Sequence, residues 1–255
     1  MERRTYLTSL ATASLTTVPT VHATAATIDV TIHVTKGLAN TSWTSKDSHY
    51  PAEVAQTYLQ SCYDTFENYD TDITISDEIV QMPAEADPFT WWDEHTRTWD
   101  GDCHLLLTEQ YDEQYKGKAS CFGCDDADDR PWYNEDASNC AVVNYCTTLY
   151  ETANSYNLWM DDGETGAREL HAILHEVGHC LGLTHGLGYA KQQYDDAYDV
   201  TPMLGAYTLY PVDEQPTSHT GRERVHVDES DATWQMFMGD DVYDYVDSYG
   251  FNMTW

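Results

Sequence analysis

Basic residues are scarce in this 255-residue chain: 12 Lys and Arg stand against 44 Asp and Glu, for a net charge of −32. Nucleic-acid backbones are held by a basic footprint, so a nucleic-acid partner is excluded as a class, and an anionic membrane surface is disfavoured for the same reason. Long apolar runs are missing too. No segment approaches the roughly 18 apolar residues that span a bilayer, so membrane insertion is not expected. Two readings of the acidity stand side by side. One is an acidic secreted protein with its carboxylates on a solvated face. The other is adaptation to molar salt, as in halophilic archaea, where a Debye length of about 3 Å screens repulsion that would strain the fold in dilute buffer.

The N-terminus carries Arg3-Arg4, a mildly apolar stretch from Tyr6 to about Val21, and Ala23-Thr24-Ala25. This looks like a twin-arginine export signal at residues 1–25, with a secreted product beginning near residue 26. The alternation of Ile28, Val30, Ile32 and Val34 predicts a strand. Ser48 to Tyr69 reads as a helix with Pro51 in its first turn, Asp72–Ile75 as a short strand, and Asp87 to Trp99 as a second helix. Cys103–Thr108, Lys118–Phe122 and Ala141–Tyr145 read as further strands.

Seven cysteines follow the signal, six of them (Cys62, Cys103, Cys121, Cys124, Cys140 and Cys146) before residue 150. In an exported chain they suggest up to three disulfides of unassigned pairing; a structural zinc site on Cys121, Cys124, Cys140 and Cys146 is the alternative. Cys180 is the odd thiol. The acidic loop Cys124–Asp129 is a candidate for Ca²⁺, although in so acidic a chain a solvated loop is the better explanation of its composition.

Residues 175–185 concentrate the chemistry: His175-Glu176-Val177-Gly178-His179-Cys180-Leu181-Gly182-Leu183-Thr184-His185. Leu170, Ile173, Leu174, Val177 and Leu181 form an apolar stripe, so this is a buried helix beginning near residues 165–167. His175 and His179, four residues apart, project from one face and can share a zinc ion. Glu176 lies about 100° around the helix. Gly182 can turn the chain back, bringing His185 to the same ion. His171 continues the i, i+4 series, but helical rise sets it about 12 Å from His179, so it reads as a supporting or packing histidine.

The pattern H-E-x-x-H-x-x-G-x-x-H resembles the zinc signature of the metzincin metallopeptidases. That resemblance implies an α+β, two-lobed domain over residues 26–255. A twisted mixed sheet with two or three helices stands above the cleft (about 26–182). A small, mostly irregular lower lobe with a C-terminal helix lies below it (about 183–255). It implies His175, His179 and His185 as Zn²⁺ ligands, Glu176 as the catalytic base, and a tight turn with Met203 beneath the metal. The strand near Gly117–Phe122 becomes the cleft edge, open to an extended peptide by strand addition. Tyr207 is a candidate for oxyanion support, although it stands four residues after Met203 rather than two. The activity expected is that of a monomeric, secreted zinc metalloendopeptidase acting on peptides or proteins. A non-catalytic zinc-binding exported protein, or a narrow peptidase processing one substrate, are the alternatives.

Overall fold

The computed structural model describes residues 26–40, 48–109, 117–119, 139–144, 159–161, 167–184, 187–192, 198–203, 218–220, 232–235 and 237–251. The export signal, the loop at 124–129, His185 and Tyr207 therefore lie outside the described residues.

A five-stranded sheet forms the frame, in the order β2-β1-β3-β5-β4. Its strands are β1 (Ala26–Thr35), β2 (Tyr69–Val80), β3 (Cys103–Thr108), β4 (Gly117–Ala119) and β5 (Cys140–Asn144). β1 runs parallel to β2 and β3, and β3 parallel to β5; β4 alone is antiparallel, paired to β5. Parallel neighbours need crossover connections, which α2 (Tyr50–Tyr63) and α3 (Pro88–Thr96) supply. A short helix, α1 (Lys36–Asn40), follows β1 directly.

Strand alternation sorts the side chains onto two faces. Ile28, Val30, Ile32 and Val34 of β1 join Leu105 and Leu107 of β3 and Val143 of β5 in the main core, against α2 and α4 (Ala167–Cys180). Leu106, Cys140 and Val142 face the other way, where Val80, Phe89 and Trp92 cover them. Every residue of β3 is buried, which is why it reads as an unbroken apolar run. Leu105, Leu106 and Leu107 are fully buried, each contributing about 2 kcal/mol of apolar transfer. Asp87 caps α3 by accepting a 2.8 Å bond from the Thr90 amide, and the Trp92 indole donates to the His104 carbonyl at 2.8 Å. The first bond closes the N-terminus of α3, and the second ties its middle to β3.

A second sheet, in the order β6-β10-β8-β7-β9, is built from strands of three or four residues. These are β6 (Trp159–Asp161), β7 (Tyr189–Gln192), β8 (Tyr198–Val200), β9 (Ser218–Thr220) and β10 (Ala232–Gln235). Four of these strands fall in the span expected to be mostly irregular (about 183–255), and β6 comes from the span assigned to the upper lobe. The C-terminal helix is present as α5 (Asp240–Tyr249), and Tyr243 on it stacks on Phe66 with ring centroids 4.7 Å apart.

Of the seven cysteines, Cys121, Cys124 and Cys146 lie outside the described residues, and Cys180 is a buried thiol as expected. Cys62, Cys103, Cys140 and Cys180 are buried thiols with no disulfide among them. Cys62, Cys103 and Cys140 stand on α2, β3 and β5, three separate elements of the frame. Burial pushes the Cys180 thiol well above its ordinary range, and its hydrogen bond with Cys103 adds to that. Among the described residues, no helix is long and apolar enough to cross a membrane.

Candidate metal centre

α4 carries the cluster. Its apolar residues Leu170, Ile173, Leu174 and Val177, with Leu181 just after its end, are all buried in the main core, so the helix is held along its length and its opposite face is fixed in direction. His175, Glu176 and His179 lie on that fixed helix, all buried, with ligand atoms within 4.8 Å of one another. A group of this composition and closeness can hold a metal ion.

The two imidazoles are oriented by backbone carbonyls. His175 Nδ1 donates to the Pro202 carbonyl, and His179 Nδ1 donates to the Leu183 carbonyl at 2.8 Å. A carbonyl oxygen can only accept, so each Nδ1 carries the hydrogen and each Nε2 presents a lone pair. Those Nε2 atoms face one another at 3.0 Å, with the rings at 88°. Two bare lone pairs at that separation repel unless a proton or a cation lies between them. Two nitrogens bound tetrahedrally to one zinc at about 2.05 Å stand about 3.3 Å apart, close to what is found. Such a donor set could hold a metal ion, zinc among them.

The turn after α4 makes this orientation possible. Gly182 has φ +82°, a conformation that disfavours any side chain, and it reverses the chain so that the Leu183 amide donates to the Gly178 carbonyl at 2.9 Å. The Leu183 carbonyl then reaches His179. The positive φ and the turn at Gly182 are those expected from the sequence; His185, which the turn was expected to deliver, lies outside the described residues.

Met203 is fully buried under the same helix. A Cβ built on Gly178 would stand 2.7 Å from the Met203 Sδ, so the glycine within the motif lets the sulfur approach. Pro202, the residue before it, supplies the carbonyl that orients His175. The segment Thr201–Met203 thus meets the helix at two points. His171 is buried on α4 but lies outside the His175, Glu176 and His179 group, as helical rise predicts. The carbonyls of Pro202 and Leu183 were missed by sequence reasoning, because a backbone acceptor leaves no residue-type signal.

No protein-family model matches the chain, and no curated protein matches it. Among solved structures, a chain described as "Structure of a chaperone-substrate complex" is similar at a TM-score of 0.37 and 12% identity. The overlap covers 67% of this chain and 26% of that one, so this chain spans about a quarter of its length. A likeness of that degree bears no weight for fold or chemistry.

Proposed function

We propose that the chain is a secreted, monomeric zinc-dependent metalloendopeptidase of the metzincin type that hydrolyses peptide bonds in peptide or protein substrates. The observation that carries the reading is the pair of Nε2 lone pairs at 3.0 Å beside a buried carboxylate on the adjoining helix position. A purely structural zinc site has no use for that carboxylate.

His175 and His179 would hold the ion, with His185 as third ligand after the Gly182 turn. When bound there, zinc supplies Lewis acidity and lowers the pKa of a coordinated water toward ~7. Glu176 takes the proton of the attacking water and passes it to the leaving amine. The carbonyls of Pro202 and Leu183 hold both imidazoles in the tautomer that ligation requires. β4, on the sheet edge beside Glu176, offers its backbone to an extended substrate.

The test is Glu176→Gln. It keeps the donor geometry and removes the base, so zinc content by atomic absorption should match wild type. Casein cleavage at high salt should fall by on the order of 10²–10⁴. A variant that cleaves casein like wild type overturns the mechanism. Wild type that binds zinc and cleaves no member of a peptide library leaves a zinc-binding protein without catalysis.

A further inference from the structure

The geometry points to Gly117 as the positioning residue for Glu176: the missing side chain at the first position of β4 makes the space in which the carboxylate stands. A Cβ built on Gly117 would lie 2.7 Å from both Cγ and Oε1 of Glu176 and 3.0 Å from its Cδ. Real Cβ atoms do not approach heavy atoms so closely, so either the strand or the carboxylate must move. The two backbones are held, so the Glu176 side chain is the part that yields. Glu176 is buried on a helix locked into the core, and β4 is registered on β5 by Gly117↔Val143, Lys118↔Val142 and Ala119↔Ala141.

Conformational freedom does not explain the glycine. Positive φ occurs at Gly101, Gly182 and Gly250 among the described residues, whereas Gly117 sits in strand backbone that any residue adopts. Glycine within a strand is unfavourable in itself and often marks the close approach of another group. The neighbours fix which group that is. The Lys118 ammonium lies 4.4 Å from the centre of the Phe89 ring, on the α3 side, so alternation turns positions 117 and 119 toward α4. Ala119 accordingly joins the main core. Position 117 meets Glu176, and the absence of a methyl there sets how far the carboxylate can retreat from the two imidazoles. This deepens the peptidase reading and rests on it for its catalytic meaning; the contact itself does not.

A double-mutant cycle with Gly117→Ala and Glu176→Ala, read by thermal midpoint on zinc-free protein, tests the contact independently of activity. In the wild-type background Gly117→Ala should lower the midpoint by roughly 3 °C or more. In the Glu176→Ala background it should change the midpoint by less than about 1 °C, because the removed side chain leaves room for the methyl. An equal fall in both backgrounds, or no fall in either, overturns the inference. In zinc-loaded enzyme, Gly117→Ala should retain one zinc per chain and lower kcat about ten- to hundredfold, the effect of misplacing a reacting group by about 1 Å. KM should stay within about twofold. Coupling without loss of turnover overturns the positioning role. Lack of turnover in wild type overturns the peptidase reading instead, while the stability cycle still decides the contact.

Discussion

His33 makes the protein acid-labile by an amount the structure lets one work out. It lies on β1, facing α3, with its ring centroid 4.9 Å from Trp92, 5.3 Å from Trp99 and 5.7 Å from His104. It is 5% exposed, and its Nε2 is buried without a hydrogen-bond partner. Burial, with His104 and His95 adding positive charge nearby, pushes its pKa down from 6.5 to about 3. Between those values the unfolded chain binds the proton and the folded chain does not. Stability is therefore full above pH 6.5 and is lost as pH falls toward 3. At pH 4.5 the chain is two units below the unfolded pKa, and at ~1.4 kcal/mol per unit the loss is about 2.7 kcal/mol. Any folded value below about 4 gives nearly the same loss. Replacing His33 by Phe removes the proton site while keeping an aromatic ring against Trp92. Urea unfolding of zinc-free wild type and His33→Phe at pH 7.5 and 4.5, in the same molar salt, isolates the effect from the carboxylates common to both. The wild type should lose about 2–3 kcal/mol more than the variant on going to pH 4.5. Equal losses would refute the assignment of a neutral, buried His33.

Met203→Ala deletes a fully buried side chain under α4 and should lower unfolding free energy by about 2–5 kcal/mol in a urea titration. A change below about 0.5 kcal/mol would mean that Met203 does not pack there. Transfer from molar salt to dilute, calcium-free buffer should unfold or inactivate a chain of net charge −32, followed by far-UV circular dichroism. Full structure in dilute buffer would leave the solvated acidic surface as the explanation of the charge.

The buried parallel strands were legible because their side chains face protein on both sides: β1, β3 and β5 all appear where β-branched and aliphatic residues cluster. β2 was read as four residues and runs for twelve, because an edge strand rich in Asp and Thr has little apolar alternation to report. α2 stops at Tyr63 rather than Tyr69. There the Asp64 amide closes on the Gln60 carbonyl and Thr65 Oγ1 on the Cys62 carbonyl, a local choice that periodicity does not encode. The strands of the second sheet are too short for any period and owe their pairing to partners as distant as β6 and β10. His175, Glu176 and His179 could be named from spacing, since a helix converts spacing directly into direction; Gly182 could be named from its residue type, and Met203 only through the resemblance. Gly117 could not be paired with Glu176, because only the registry of β4 on β5 brings it beneath the helix.

The turn at Gly182 ties two equilibria into one. The Leu183 amide closes the last turn of α4, while the Leu183 carbonyl holds the hydrogen of His179 Nδ1. Unwinding that turn releases the tautomer of the imidazole in the same movement. Fraying of the helix end and loss of the hydrogen bond that orients His179 are therefore linked through one residue. The direction of one imidazole thus becomes a property of a helix terminus, set by a glycine whose φ is +82°.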